Sequence, residues 1–310
     1  MLSLIIPVYK NEAGIDELLS AVLDLDQAFS GRLEVIFVVD GSPDRSYEML
    51  AKSLSRLPIK AQLLLLSKNF GSFAAIRAGL NVANGERFAV MAADLQEPPE
   101  LIQKMNEVLT SRGDEFDIVV AAREARSDPL SVRISSGIFW ALYRKFIVPE
   151  MPVGGVDVFA CNRAFRDQLL MLEERHSSLI AQIFWLGFRR EIVTYKRQVR
   201  RKGKSAWTFR KKLSYLMDSV FSFTDLPIRL LIRIGGWVSL ISGVFALAVL
   251  VSRLAGHIVV PGYAATVLAI VFLGSLNLFG LGIVGSYAWR AYENTKARPL
   301  AIVIRNTKFN

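Results

Sequence analysis

Acids and amides recur in this chain directly after short apolar runs. Asn11-Glu12 follows Leu2–Val8, Asp40-Gly-Ser-Pro-Asp44 follows Leu33–Val39, and Asp94-Leu-Gln96 follows Arg87–Met91. An acid and an amide two apart at a strand end can face one way and share a hard cation, which makes Asp94 and Gln96 candidate metal ligands. Asn11-Glu12 fits either a helix cap with a first-turn acid or a ligand contact. Asp40 to Asp44 has the composition of a common turn. Asp157 stands in the apolar, glycine-rich run Val153-Gly-Gly-Val-Asp-Val-Phe159, where an acid must be paired, solvated or functional. Arg197, Arg200 and Arg201, with Gly203, Ser205 and Trp207, form a guanidinium-dense stretch. Arginine forks bind phosphate bidentately, and such a patch also attracts anionic lipid headgroups.

These residues need strand ends and helix starts to hold them. Apolar runs at Leu2–Val8, Leu33–Val39, Ala61–Leu66, Arg87–Met91 and Asp117–Ala121 predict strands. Amphipathic stretches at Glu12–Phe29, Asp44–Leu57, Phe73–Asn84 and Glu100–Thr110 predict helices between them. Apolar strands alternating with helices predict an α/β fold with a mostly parallel sheet covered on both faces. Ligands of such sheets bind beyond the carboxyl ends of the strands, where the acids and amides above fall.

The remaining third of the chain has another character. The 310 residues carry 38 Lys+Arg against 28 Asp+Glu, for a net charge of +10, yet 52% are hydrophobic. With a mean hydropathy of +0.33, this pairing argues against a disordered chain and against a soluble nucleic-acid binder. One Cys and two His argue against a disulfide framework and against thiolate or imidazole metal sites, so any metal should have oxygen ligands, as Mg²⁺ or Mn²⁺ does. The apolar excess is local: residues 234–252 and 254–289 lack Asp, Glu, Lys and Arg. Runs of that length predict two membrane spans, at about 230–252 and about 263–288. Segment 196–212 has nine basic residues and no acid, whereas the loop between the spans offers only Arg253. The positive-inside rule then puts the N-terminal part and the tail on the cytoplasmic side of the plasma (inner) membrane. The N-terminus has no basic region before its short apolar run, so no signal peptide is expected there. Residues 208–228 read as an amphipathic helix, either in the membrane interface or docked on protein.

In this order, the loops resemble those of glycosyltransferase family 2, in particular its polyprenyl-phosphate glycosyltransferases. The matching stretches are Ile5-Ile-Pro-Val-Tyr-Lys-Asn-Glu12, Val38-Val-Asp-Gly-Ser-Pro-Asp44, Lys68-Asn-Phe-Gly71, Ala92-Ala-Asp-Leu-Gln-Glu-Pro-Pro-Glu100, Arg200-x-x-Gly-x-Ser205 and Lys296-Ala-Arg-Pro299. The resemblance implies a nucleotide-sugar-binding α/β domain of GT-A type over 1–207, an interfacial helix over 208–228, a two-helix membrane hairpin over 229–289 and a cytoplasmic tail over 290–310. It implies sugar transfer, with inversion, from a nucleotide diphosphate sugar to polyprenyl (undecaprenyl) phosphate, for cell-surface glycan modification. UDP-glucose is the first expected donor; GDP-mannose, UDP-GlcNAc or an aminoarabinose nucleotide are alternatives. Carried over by residue, Pro7, Tyr9, Glu12, Asp40, Asn69 and Asp94 would bind the nucleotide sugar. Asp94 and Gln96 would hold Mg²⁺ or Mn²⁺, Arg200 and Ser205 would meet phosphate, and Asp157, Arg200 and Asp94 would serve catalysis. The bilayer is an expected partner, nucleic acid is not, and a homo-tetramer is implied. The chain departs from the family pattern at Val39 and Ala92, where the family usually has Asp, and at Lys68, where it usually has Arg. The loss of those acids leaves open a non-catalytic protein that binds nucleotide sugar or lipid. A processive polysaccharide synthase fits less well, because two spans are too few for a channel and no Gln-x-x-Arg-Trp run is present.

Overall fold

The computed structural model describes residues 1–124, 141, 143–145, 147–152, 155–174, 177–196, 198, 217–255 and 262–309. The described residues divide into two units, one of residues up to 215 together with Arg298–Asn310, the other Leu216–Ala297.

The first unit is built on one eight-stranded sheet. Its strands are β1 (Leu2–Val8), β2 (Leu33–Val39), β3 (Lys60–Leu66), β4 (Arg87–Val90), β5 (Ile118–Arg123), β6 (Val156–Asn162), β7 (Arg190–Tyr195) and β8 (Val303–Phe309). They lie in the order β7-β5-β6-β4-β1-β2-β3-β8. Strands β4, β1, β2 and β3 are mutually parallel. Strand β6 runs antiparallel between β4 and β5, β7 is parallel to β5, and β8 is antiparallel to β3. The sheet is thus mixed and mostly parallel, in agreement with the architecture expected from the sequence. Every residue of β2 is buried, as a strand covered on both faces requires.

Helices α1 (Ile15–Ala28), α2 (Ser46–Leu54), α3 (Ser72–Val82) and α4 (Glu100–Ser111) connect successive strands, and a 3-10 turn at Glu12–Gly14 precedes α1. Two further helices, α5 (Arg163–Met171) and α6 (Leu179–Trp185), follow β6. Helix α1 turns Ile15, Leu18, Leu19, Val22 and Leu25 into the core, the spacing of a single apolar stripe. Arg77 of α3 donates to the carbonyls of Leu169 and Leu170 at the end of α5. This satisfies acceptors that a helix terminus leaves open.

A buried carboxylate ties the opposite, amino edge of the sheet together. Glu34 on β2 accepts from Ser3 Oγ at 2.5 Å, from Gln62 Nε2 at 3.0 Å, and from both Asn84 N and Asn84 Nδ2 at 2.8 Å. Burial alone would raise its pKa, but the donors from Ser3, Asn84 and Gln62 outweigh burial and hold it below the ordinary value. Asn306 of β8 reaches the same network through Gln62 Oε1 at 3.5 Å.

The second unit holds a helical segment over 217–223 and two long helices, α7 (Leu226–Leu254) and α8 (Tyr263–Thr295). The amphipathic stretch expected to run to 228 stops at Thr224-Asp225, a correction with a local cause. Thr224 Oγ1 accepts from Leu226 N at 3.3 Å, the Asp225 carbonyl accepts from Arg229 N at 2.9 Å, and Pro227 follows in the first turn. These are helix-start signals, so a new helix begins at Leu226. Among the described residues, one helical stretch, Phe272–Thr295, is long and apolar enough to cross a membrane. Large apolar side chains lie exposed along both helices, including Trp237, Ile241 and Phe245 on α7 and Phe272, Leu278 and Phe279 on α8. Within this unit Arg290 pairs with Asp218 at 2.9 Å and stacks over Phe221, whose ring meets Tyr287 edge-on. Tyr287 in turn donates to the Thr224 carbonyl at 3.1 Å. The segment over 217–223 is fixed to α8 by these contacts.

Because the folded pKa of Glu34 lies below the unfolded one, its stabilisation is present above the ordinary carboxylate pKa and is lost as pH falls through the folded value. Glu34→Gln should cost about 2–4 kcal/mol at neutral pH, since donors aimed at a carboxylate lose an acceptor. It should also flatten the fall of stability below about pH 4. Denaturant titrations of both proteins between pH 3 and 7 check this; parallel pH curves would exclude the assigned role.

Candidate active site

Parallel strands deliver their carboxyl ends to one edge of the sheet. There the loops after β1, β2, β3 and β4 meet the ends of β5 and β7. Antiparallel β6 arrives at the same edge with its first residues. This edge gathers Pro7, Tyr9, Glu12, Asp40, Asn69, Asp94, Gln96 and Asp157. Arg200 and Ser205 lie outside the described residues.

Pro7 is tolerated inside β1 for a geometric reason. The Ile5 carbonyl accepts from Met91 N on the β4 side, so position 7 turns its backbone the same way. The paired β1–β4 register stops at Ile5–Val90, so Pro7 stands where that ladder ends and not within it. Beyond it, Lys10 adopts a positive φ of 52° and its ammonium lies 5.4 Å from the Tyr9 ring centroid.

Two carboxylates hold the loops together. Asp40, almost fully buried, accepts from Phe70 N at 2.7 Å and from Gly71 N at 2.9 Å, one amide per oxygen. Asn69 Nδ2 reaches the Asp40 carbonyl at 3.4 Å. Asp44 accepts from Ser42 Oγ at 2.6 Å, Ser46 Oγ at 2.7 Å, Ser46 N at 3.2 Å and, across to the β1 loop, Glu12 N at 3.1 Å. Burial raises its pKa, and the bonds from Ser42, Ser46 and Glu12 more than offset that, so it is held below the usual range. The Glu12 carboxylate faces Arg45, with an ion pair at 2.9 Å and a bond from Arg45 N at 3.2 Å. Lys10 N donates to Ser42 Oγ at 2.8 Å, and Asn11 Nδ2 to the Ala93 carbonyl at 3.0 Å. Gly41 is required where the second and third loops touch. Its φ is +54°, and a Cβ there would stand 2.2 Å from the Lys68 carbonyl carbon.

The β4 loop presents Asp94 and Gln96. Leu95 between them has φ 51°, and Gln96 N points at Asp94 Oδ1 from 3.4 Å, an Asx-type turn. Gln198 N donates to the Gln96 carbonyl at 2.9 Å, tying the segment after β7 to this loop. Asp94 lines a cleft of about 330 Å³ with Asn11, Glu17, Leu95, Pro99 and Gln198. Among the described residues, no group of three or more His, Cys, Asp and Glu is placed to hold a metal. A lone carboxylate with an amide fits a hard cation that arrives on a diphosphate, because such a cation keeps phosphate and water ligands and needs few from protein.

Asp157, the second residue of β6, is held by three side-chain bonds. Arg123 engages both of its oxygens through Nε and a terminal nitrogen, and Tyr195 Oη donates to Oδ2 at 2.5 Å. Burial works against the Arg123 guanidinium, but Asp157 outweighs it and raises its pKa.

The sequence reading named neither Asp44, Arg45, Arg123 nor Tyr195 as site residues. Asp44 lay inside a quoted stretch in which only Asp40 received a role. Arg123 falls beyond the expected end of its strand at Ala121. Tyr195 closes a strand, β7, that was not expected, although Ile192-Val-Thr-Tyr195 is a run of β-forming residues.

Against known proteins, the pattern of Glycosyl transferase family 2 matches residues 3–172. An uncharacterised glycosyltransferase of Synechocystis sp. is 32% identical over 97% of this chain and 94% of that protein. The undecaprenyl-phosphate 4-deoxy-4-formamido-L-arabinose transferase of Pseudomonas aeruginosa is 33% identical over 98% of this chain and 90% of its own. The bactoprenol glucosyl transferase of Shigella phage SfX is 28% identical over 97% of this chain and 98% of its own. The match to the family covers more than half of the chain, and the relatives span nearly all of it. The protein is a glycosyltransferase and belongs to glycosyltransferase family 2.

Proposed function

We propose that the protein transfers a sugar from a nucleotide diphosphate sugar to a polyprenyl phosphate at the cytoplasmic face of a membrane, inverting the anomeric carbon. One observation carries the reading: a relative named for undecaprenyl-phosphate sugar transfer aligns over 98% of this chain, the two long helices included. The carboxyl edge of the sheet supports it, with its loops cross-linked by Asp40 and Asp44 around an open cleft beside Asp94. In this reading α7 and α8 both cross the bilayer as a hairpin, with the unit that carries the sheet on the cytoplasmic side.

The chemistry asks little of a base, since a phosphate acceptor is ionised at neutral pH. The barrier is the approach of one anion to another and the departure of a nucleotide diphosphate. Pro7, Tyr9, Glu12, Asp40 and Asn69 form the wall of the proposed nucleotide site; Glu12 and Asp40 act at least through the loops they fix. Asp94 and Gln96 would hold Mg²⁺ or Mn²⁺, which when bound neutralises charge on the leaving diphosphate. Arg200 and Ser205 are proposed to meet phosphate. Asp157, oriented by Arg123, positions the acceptor or the transferred sugar, and an acceptor phosphate oxygen attacks in line as the nucleotide diphosphate leaves.

UDP-glucose is the first donor to test, since one relative is named a bactoprenol glucosyl transferase. Purified protein in liposomes with undecaprenyl phosphate and a panel of UDP- and GDP-sugars should give an organic-extractable product from one donor. No product from any donor, with nucleotide still bound, would leave a binding protein instead. Two further outcomes are expected with the active donor. EDTA should abolish transfer, and Asp94→Asn should lower kcat/KM by about 10²-fold or more. A metal-independent Asp94→Asn enzyme of near wild-type rate would remove Asp94 from the donor site.

A further inference from the structure

Tyr195 does something at this edge that the proposed roles leave unexplained. It ends β7, the outer strand, in register with Arg123 at the end of β5. Asp157 lies on β6, on the far side of β5. Only a long side chain can cross an intervening strand, since neighbouring strands stand about 4.8 Å apart. Tyr195 is buried and makes that crossing, its hydroxyl reaching Asp157 Oδ2 at 2.5 Å. The same hydroxyl stands 3.4 Å from Glu97 Oε1, and Glu97 is itself buried. Glu97 directly follows Gln96 in the loop that presents Asp94. One phenol therefore sits between two carboxylates, one on the sheet and one on the loop.

A phenol has a single proton to donate. The shorter contact assigns it to Asp157, and the longer one keeps Glu97 within reach. Burial first, and then the neighbouring Asp157 and Glu97, drive the phenol pKa upward, so the hydroxyl stays protonated as a donor. Arg123 and Tyr195 together leave the Asp157 carboxylate one orientation: the guanidinium fixes its plane and the hydroxyl fixes one oxygen.

Building on the proposed transfer reaction, we propose that Tyr195 is a positioning residue. Its hydroxyl fixes the Asp157 carboxylate while standing against Glu97, and so sets where Asp157 stands relative to the Asp94–Gln96 loop. The acceptor side and the donor side of the site are thereby held in one geometry by a group that touches neither substrate.

The test is a kinetic double-mutant cycle in the full-length protein in liposomes. Tyr195→Phe keeps the ring and removes only the hydroxyl. It should lower kcat about tenfold or more while donor KM stays within about twofold, since misplacement of a reacting group is read in turnover. In an Asp157→Asn background, Tyr195→Phe should cost less than about twofold further, because both changes break one interaction. Full independent losses from the two substitutions, or an unchanged kcat in Tyr195→Phe, would overturn the assignment. A general packing role would lower the amount of folded enzyme and leave the losses additive. If Tyr195→Phe does not fold, Tyr195→Met, which also removes the hydroxyl, takes its place in the cycle with the same expected non-additivity. A wild type that turns over no donor sinks the functional reading and this assignment together; a working wild type with additive losses sinks this assignment alone.

Discussion

Both oxygens of the Asp40 carboxylate are occupied by backbone amides of the next loop, those of Phe70 and Gly71. Most of the carboxyl edge rests on that contact and its counterpart at Asp44. A parallel sheet supplies ladder bonds to its strands and none to the loops beyond them. Those loops must still satisfy their amides, and must stay open on one side to admit a ligand. A carboxylate meets both demands, because it accepts several bonds from one compact group. Asp40 holds the third loop to the second, Asp44 the first to the second, and Asn11 the first to the fourth. Gly41 is the steric condition for this arrangement, since any side chain there would collide with the backbone at Lys68.

The arrangement has an electrostatic consequence. An edge built on Asp40, Asp44, Glu12, Asp94, Glu97 and Asp157 is a poor place for a diphosphate unless cations offset the charge. Some of the offset is internal: Arg45 faces Glu12 and Arg123 faces Asp157. Asp94 lines the open cleft, which is where an incoming cation would have most effect. Acids that brace loops and the acid proposed to meet the donor thus differ in where they stand, although the sequence places each of them at the end of a strand.

That distinction marks the limit of what the sequence disclosed. From β1 to α4 the strands were legible closely and the helices only to within a turn at their ends, because buried strands and amphipathic helices leave strong periodic signals while helix ends do not. Strand β6 was hidden by its glycine-rich approach. Strand β8 was read as tail because Val303–Phe309 is a half-polar, mostly exposed edge strand whose partner, β3, lies far away in the chain. For the site, position after a strand singled out the loops with Asp94 and Gln96, and apolar, glycine-rich surroundings singled out Asp157. It could not disclose that Asp40 serves the backbone, or that Arg123 and Tyr195 converge on Asp157, because those contacts join strands distant in sequence. Asp44 was visible yet unassigned, since a turn acid and a loop clamp look alike until the neighbouring loop is in place.

The most direct measurement is hydrogen exchange at the Phe70 and Gly71 amides in the protein without nucleotide. If the edge is assembled in advance by its own carboxylates, both amides are protected in the wild type. They lose protection in Asp40→Ala, while the amides of β1 and β2 keep theirs. Rapid exchange at both positions in the wild type would contradict this, and would mean that the loops are ordered only when the donor binds.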